Sequence, residues 1–352
     1  VGPGVCYRAW SEGAERSRAP FSAPESVEAD LTPLALGLAS WGVRDAAALR
    51  WLDPPPAAML ASARDLLERL GALDAAGRIT PHGREMARIG VHPRLAHMLL
   101  RARGIGSLPL AADLAALLSE RDLLRGAAGG RDADIRDRIE ALRGAGTVAG
   151  IDRAALQRAR RSARELLRQL GSAGQAAAPE ERGGSAAGLL ALAFPDRIGR
   201  QRAGGEGRFT LTNGRGAHFA EPQSLARQEL IVAVDLDDRE RDARIRLAAP
   251  LSRGEIDEYL ASRLERSDSV EWNAREQAVL ARRVLRLDGL VLEESALPEV
   301  PAEEARAAMQ EGIRQLGIES LPWSRDARDL QARVAFVRRL GSDFERWPDL
   351  TD

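Results

Sequence analysis

The residues of this sequence whose type and spacing could do chemistry are arginines, and they form two clusters. Between Asp152 and Ser172 six arginines stand against two carboxylates, and between Pro195 and Gly216 five arginines again stand against two. The guanidinium fork binds phosphate oxygens bidentately, so both clusters predict contacts with a nucleic-acid backbone. The candidate residues are Arg153, Arg160, Arg161, Arg164, Arg168, Arg197, Arg200, Arg202, Arg208 and Arg215.

Each arginine cluster also has a structural interpretation that the sequence leaves open. An amphipathic helix normally carries charge on its solvated face, which would explain the first cluster without any ligand. The second cluster could likewise be only exposed charge. It leads, however, into a predicted small β-barrel, and such barrels often bind nucleic acid through this region. The charge reverses between Glu299 and Glu311, so one basic and one acidic surface are predicted.

Composition excludes several classes of chemistry. All 51 basic residues are arginine, and without lysine the chain can hold neither a GxxxxGK[ST] phosphate loop nor a Schiff-base lysine. A single cysteine excludes an internal disulfide, and the four histidines lack metal-ligand spacing, so neither a metal nor a cofactor is predicted within this chain. Glu299, Glu303 and Glu304 are expected to complement a helix dipole rather than bind a metal. With no long apolar run and no basic leader, the chain is expected to be cytoplasmic.

The elements that must position the arginines begin with helices. Leucines spaced i, i+3 and i+7 predict a helix over 25–41, and a longer helix follows prolines 54–56 and stops at Gly71. The stretch ALDAAGRI at 72–79 predicts a tight hairpin, and Thr80 followed by proline predicts another helix start. Three helices with a small hairpin form a winged-helix pattern.

A helical bundle and a barrel are predicted next. Helices are expected over 93–103, 108–118, 132–142 and 152–170, and the last has leucines and alanines on one face and arginines on the other. Residues 171–188 are typical of a linker. The period then changes to two in RFTLTNGRGAHFA, ELIVAVDLD and ARIRLAAP, and the Asn-Gly pair in the first of these predicts a hairpin turn. Short strands joined by turns predict an OB-like barrel.

The remaining chain is predicted to be α+β. Ser252 and Glu255 have the spacing of a capping box, strands are expected within 268–294, and two amphipathic helices are expected over 301–316 and 324–340. The predicted fold class is therefore mainly α and multidomain, with a winged helix, a ratchet-like helical bundle, an OB-like barrel and an α+β C-terminal region. The predicted domain boundaries are 25–91, 92–175, 176–252 and 253–352, preceded by a strand end and linker over 1–24.

Several single residues are expected to be structural. Cys6 is expected in a buried strand, Trp41 and Trp51 in the winged-helix core and His97 among packed side chains, while His92, Pro93 and Arg94 are expected to start a helix.

Six stretches of sequence point to a known family. They are GPGVCYRAWSE at 2–12, APESVEADLTPLALGLASWGV at 23–43, LRWLDPPPAAMLASARDLLERLGALDAAGRITPHGREMARIGVHPRLAHMLL at 49–100, FPDRIGRQR at 194–202, TLTNGRGAHFAE at 210–221 and LPWSRDARDLQARVAFVRR at 321–339. Together they resemble the C-terminal portion of a DEAH-box ATP-dependent helicase of the bacterial HrpB branch. The block at 49–100 is the most specific, and none of the six is catalytic.

The resemblance implies a function. In such helicases two RecA-like lobes hydrolyse ATP with Mg²⁺, and accessory domains guide single-stranded nucleic acid, RNA more than DNA. It implies that residues 1–24 are the tail end of the second lobe, that both ends of the chain are cut, and that the chain alone does not hydrolyse ATP. With only 4% aromatic residues to stack on bases, binding is predicted to depend on charge and to be sensitive to salt.

Two alternatives stay open at this point. The chain could be a stand-alone nucleic-acid-binding protein with a winged helix and an OB barrel, or a structural module that binds a partner protein without contacting nucleic acid.

Overall fold

The computed structural model describes residues 2–18, 24, 27, 29–124, 132–144, 150–171, 184–237 and 242–339. The chain divides into two compact units, the first formed by 1–209 and 216–259 and the second by 210–215 and 260–352. Most of the predicted linker and the end of the last predicted helix lie outside the described residues. The finer domain boundaries given above remain predictions.

The first unit begins with helices that confirm the winged-helix pattern. After the short helix α1 (Glu12–Arg16) come α2 (Thr32–Ser40), a 3-10 turn at Ala46–Ala48, α3 (Ala57–Arg69) and α4 (Pro81–Ile89). An antiparallel bridge between Leu73 and Ile79 closes the small hairpin. The Thr80 hydroxyl accepts a hydrogen bond from the Gly83 amide at 3.0 Å and so caps α4 as predicted.

Helix α2 begins later than the leucine spacing predicts. The Asp30 carboxylate accepts a hydrogen bond from the Thr32 amide at 2.8 Å, and a proline occupies the first turn of the helix. Asp30 precedes the N-cap residue Leu31, and its carboxylate satisfies the first amide of the helix, which would otherwise lack an acceptor.

The helical bundle follows as predicted, with α5 (Pro93–Gly104), α6 (Leu108–Ser119), α7 (Ile135–Arg143) and α8 (Arg153–Leu170). Helix α9 (Ala186–Ala193) lies between the bundle and the barrel in the chain. Helix α6 packs against α8, α5 and α7, and α9 packs against α5. Fully buried alanines on α6 and α8, among them Ala115 and Ala159, let these two helices approach closely. The bundle is therefore a rigid support for the arginines of α8.

A closed five-stranded barrel confirms the predicted β part. Its strands are β1 (Ile198–Gln201), β2 (Arg208–Leu211), β3 (Gly216–His218), β4 (Leu230–Asp237) and β5 (Ala243–Pro250), in the order β1-β2-β3-β5-β4. The Asn213-Gly214 turn joins β2 to β3, and Gly214 has a φ of 82°, a conformation that glycine adopts without strain. Helix α10 (Arg253–Tyr259) follows the barrel and starts at the predicted capping box, in which Glu255 accepts from the Ser252 amide at 2.6 Å.

The second unit is the predicted α+β region. Strands β6 (Leu264–Asn273), β7 (Ala278–Leu287) and β8 (Leu290–Ala296) form an antiparallel sheet in sequence order, and α11 (Ala302–Leu316) packs on β6 and β7. Helix α12 (Arg325–Arg338) comes last. Glu303 and Glu304 lie in the first turn of α11, as a complement to the helix dipole requires.

Some single-residue expectations are wrong. Cys6 is exposed, and residues 2–9 form no strand. Trp41 is 80% exposed because it lies at the C-terminal end of α2, beyond the face that packs on α3. Trp51 is half-buried and donates a hydrogen bond to the Ala46 carbonyl at 2.7 Å. His97 is half-buried, and its ring is 2.9 Å from that of His82.

Within the described part of the chain, no helix is long and apolar enough to cross a membrane. Among the same residues, no group of three or more histidine, cysteine, aspartate or glutamate side chains could hold a metal ion.

Candidate nucleic-acid interface

Helix α8 carries the first predicted arginine cluster. It starts where the Asp152 carboxylate accepts hydrogen bonds from the amides of Ala154 and Ala155, at 3.0 and 3.2 Å. One side of the helix is buried against the bundle through Ala155, Ala159, Ala163, Leu166 and Leu170. Because these residues recur at helical spacing, most of the arginines are left on the opposite, exposed side.

Four of the five predicted arginines of α8 are exposed. The side chains of Arg153 and Arg161 form no hydrogen bond or ion pair with any other described residue, and that of Arg164 donates only to the Arg160 carbonyl, at 3.1 Å. Arg168 forms an ion pair with Glu165 on the same helix. Arg161, Arg164 and Arg168 line one shallow groove on the surface.

Arg160 departs from the predicted outward row. Its side chain is half-buried, and its Nε donates to the Leu142 carbonyl at 2.8 Å. Leu142 is near the end of α7, where carbonyl groups lack helical partners, so Arg160 ties α8 to α7. Arg158, which was not a candidate, similarly pairs with Glu120 at 2.9 Å.

The arginines of the second predicted cluster differ in exposure and in ion-pair partners. Arg200 lies 3.6 Å from Glu229, and Arg202 lies 3.3 Å from Asp242. Arg208 is exposed at the start of β2, and Arg215 is exposed in the β2–β3 turn, within the segment that belongs to the second unit. Arg197 is more enclosed, with 26% of its side chain exposed.

Arg197 lines a cavity of about 800 Å³ within the first unit. Its walls come from α5, α6 and α7 on one side and from β4 and β5 on the other. Charged side chains of both signs line it, including Arg138, which pairs with Asp122 at 3.1 Å. The cavity brings together residues from both predicted domains, the bundle and the barrel.

A buried ion pair supports this cavity. Arg94, at the start of α5, donates two hydrogen bonds to the Asp196 carboxylate, at 2.5 and 2.8 Å, and a third to the Ala193 carbonyl at 3.1 Å. Burial raises the pKa of Asp196, but the Arg94 guanidinium outweighs it and holds that pKa below its usual value. The sequence predicted a helix start at His92, Pro93 and Arg94, which is confirmed, but not this pair, because 102 residues separate its members.

A second pair lies at the same end of α5. The His92 ring is 3.1 Å from the Asp30 carboxylate, which also accepts from Thr32. Burial raises the pKa of Asp30, yet the hydrogen bonds from His92 and Thr32 bring it well below the usual range for an aspartate. Asp30 therefore stays ionised and adds a fixed negative charge to the cavity wall.

Comparison with known proteins agrees with this architecture. Residues 63–91 match the family model described as the helicase associated domain (HA2), winged-helix. Over 348 residues, 97% of its length, the chain is 33% identical to the ATP-dependent RNA helicase HrpB of Escherichia coli (strain K12), of which it covers 39%. It is also 35% identical over 120 residues to the pre-mRNA-splicing factor ATP-dependent RNA helicase prp22 of Schizosaccharomyces pombe, of which it covers 10%.

Solved structures give the same result. The crystal structure of the E. coli DExH-box NTPase HrpB matches 96% of this chain and has a TM-score of 0.65 and 31% identity, with 39% of that chain covered. A crystal structure of the Escherichia coli DEAH/RHA helicase HrpB matches 97%, with a TM-score of 0.64, 29% identity and 40% of that chain covered. The chain thus spans about two fifths of the HrpB proteins that it matches. In sequence and fold the chain is thus similar to a C-terminal portion of HrpB, with a match to the HA2 winged-helix model within it.

Proposed function

We propose that this chain supplies the accessory domains of an ATP-dependent RNA helicase and guides single-stranded nucleic acid by non-specific contacts between arginines and phosphates. In this proposal RecA-like lobes bind ATP and Mg²⁺ and act as the hydrolase, and the complete protein works in the cytoplasm. The relatives reported above are named as ATP-dependent RNA helicases, which supports the assignment. The chain alone is expected not to hydrolyse ATP, because it has no lysine for a phosphate loop.

One observation carries the proposal. Arg153, Arg161 and Arg164 are exposed on one rigid helix, and none of them has a carboxylate partner among the described residues. An arginine already paired must give up its carboxylate before it binds a phosphate, whereas these three have no carboxylate to give up. From Arg153 to Arg164 the helix rises about 16 Å, so the three can contact separate phosphates of one strand.

The arrangement explains guidance without base recognition. Helix α8 is held against α6 by buried alanines and tied to α7 by Arg160, so its exposed arginines keep fixed positions. Phosphates are the same at every nucleotide, and contacts to them allow a strand to slide. Movement of the strand is left in this proposal to the lobes that hydrolyse ATP.

The test compares two triple variants of the purified chain. Replacing Arg153, Arg161 and Arg164 by glutamine removes three phosphate contacts. In a fluorescence anisotropy titration at 100 mM salt, the affinity for a single-stranded RNA is expected to fall about 100-fold, and the slope of log K against log[salt] is expected to lose about 2 units. The control replaces Arg306, Arg314 and Arg328 by glutamine, since these exposed arginines pair with glutamates. The proposal fails if both variants bind RNA equally well.

A second candidate function is binding of a partner protein, and exposed apolar residues favour it. Trp41 is 80% exposed and Leu52 98% exposed, both in the winged-helix part of the first unit. Large apolar side chains in water often mark contacts with another protein. This candidate replaces the first if the folded chain binds no single-stranded RNA at 50 mM salt.

A further inference from the structure

The cavity of the first unit contains charged groups whose role the proposed function does not explain. Apart from Arg197, none of its lining residues is among the candidate arginines. Arg244 on β5 is exposed, and its side chain forms no hydrogen bond or ion pair within the described part of the chain. Glu221 and Asp235 also line the cavity and are exposed. Their carboxylates form no hydrogen bond or ion pair with other described residues. The wall thus presents unused groups of both signs.

On the cationic side two guanidinium groups lie beside one carboxylate, and only one of them forms hydrogen bonds to it. Arg94 and Arg197 lie over the Phe194 ring, with guanidinium carbons 5.1 and 5.3 Å from its centroid. Arg94 engages both oxygens of Asp196, and Arg197 is left 3.9 Å from that carboxylate. Arg197 donates to the Val234 carbonyl at 3.0 Å, and the Nε of Arg94 is buried without an acceptor.

This crowding makes an anion favourable beside Arg197. Burial, and next the nearby Arg94, lower the pKa of the Arg197 guanidinium, and the opposing effect of Asp196, Asp30 and Asp235 does not offset them. A phosphate in contact with Arg197 and Arg244 would supply the missing negative charge through charge-assisted hydrogen bonds.

The acidic side restricts which anion fits. Glu221 and Asp235 would repel a bare phosphate ion, but they can accept hydrogen bonds from hydroxyl or amino groups. A nucleoside phosphate carries such donors on its ribose and base, next to its phosphate. The volume of about 800 Å³ lies within the range of small-molecule sites.

We propose that this cavity binds a nucleoside phosphate, with the phosphate on Arg197 and Arg244 and the nucleoside donors on Asp235 and Glu221. A free mononucleotide and a nucleotide unit of a strand present the same chemistry. If the strand is the source, the site rests on the proposed function and adds a specific contact to it.

The experiment titrates the purified chain with adenosine 5′-monophosphate by isothermal titration calorimetry, with adenosine and inorganic phosphate as partial ligands. The monophosphate is expected to bind at least tenfold more tightly than either partial ligand. Arg244→Gln is expected to weaken its binding about tenfold, because a hydrogen bond to a charged group is lost. Asp235→Asn is expected to weaken binding of the monophosphate, because an acceptor for the nucleoside is lost. The same change is expected to strengthen binding of inorganic phosphate, because a repelling charge is removed. Both side chains are exposed, so both variants should keep the thermal midpoint of the parent.

The matched control is Arg275→Gln, an exposed arginine of the β6–β7 turn in the second unit, which should leave nucleotide binding unchanged. Equal binding of phosphate and monophosphate, no binding of the monophosphate, or equal weakening by Arg244→Gln and the control would overturn the proposal. A single-stranded ten-nucleotide RNA that displaces the monophosphate identifies a strand as the source, and failure to displace it identifies the free nucleotide. Because the α8 triple variant tests the proposed function without any cavity residue, the two proposals can fail separately.

Discussion

Arg94 is a buried cation that forms an ion pair with Asp196, a carboxylate from a distant part of the sequence. Its side chain is 6% exposed and that of Asp196 19%. Arg94→Ala leaves this carboxylate enclosed without its partner, so we expect the free energy of unfolding to fall by about 3–5 kcal/mol. Urea denaturation measures the change, and Arg306→Ala, which breaks an exposed pair, should be close to the parent.

A double variant separates the loss of the pair from the loss of packing. Arg94→Met with Asp196→Leu removes both charges and keeps apolar volume in place. It should recover most of the stability lost in Arg94→Ala, because no unpaired charge stays buried. If Arg94→Ala proves as mild as Arg306→Ala, the pair does not stabilise the fold.

Single residues differ in how far the sequence predicts them. The caps at Thr80 and Ser252 are predictable, because each acts on an amide within three residues. The exposure of Trp41 and the inward turn of Arg160 are not, because they depend on which neighbour covers each helix face. The sequence does not predict the cavity for the same reason, since Arg94, Arg197 and Arg244 line one cavity only once the chain has folded.

At the scale of an element, the fit of α4 against the hairpin of the winged helix depends on Gly83. A Cβ at this position would lie only 3.0 Å from the carbonyl carbon and Cα of Ala72 and closer still to its carbonyl oxygen. Backbone atoms cannot turn aside as a flexible side chain can. Gly83→Ala should therefore lower the free energy of unfolding by about 1–3 kcal/mol.

Gly37 in α2 provides the matched control for Gly83. It is also helical, and no atom lies within 4 Å of the Cβ that it would gain. Gly37→Ala should raise the stability by up to about 1 kcal/mol, because alanine loses less conformational freedom in a helix. Urea denaturation of the two variants should give shifts of opposite sign. Shifts of the same sign would show that contact with Ala72 does not decide the cost.

The sequence predicts a secondary-structure element where the residues that determine it are close together in the chain. The periodic helices and the Asn213-Gly214 turn are of this kind. The strand order of the barrel does not follow from a local pattern. Strand β3 pairs in parallel with β5, although β4 and long connections lie between them in the chain. The period of two therefore predicts strands and a small barrel without predicting which strands close it.

Considered as a whole molecule, the chain has a net charge of −1, so the proposed binding of nucleic acid cannot come from overall attraction. It must come from local groups such as Arg153, Arg161 and Arg164. The sequence could predict these arginines as candidates, because an amphipathic helix exposes its charged face. Their contact with nucleic acid remains a proposal, since the same exposure is expected of a solvated surface.

Salt dependence distinguishes these two interpretations for the chain as a whole. If three to five phosphates are contacted, the slope of log K against log[salt] for single-stranded RNA is about −2 to −3.5, and affinity falls about 20- to 100-fold between 50 and 200 mM salt. RNAs of equal length and different sequence should bind within a few-fold of one another, because phosphates carry no base identity. Fluorescence anisotropy at four salt concentrations measures both quantities. A flat response would mean that the arginines of α8 are only a solvated surface, and that any RNA held by the chain is bound by groups other than its charges.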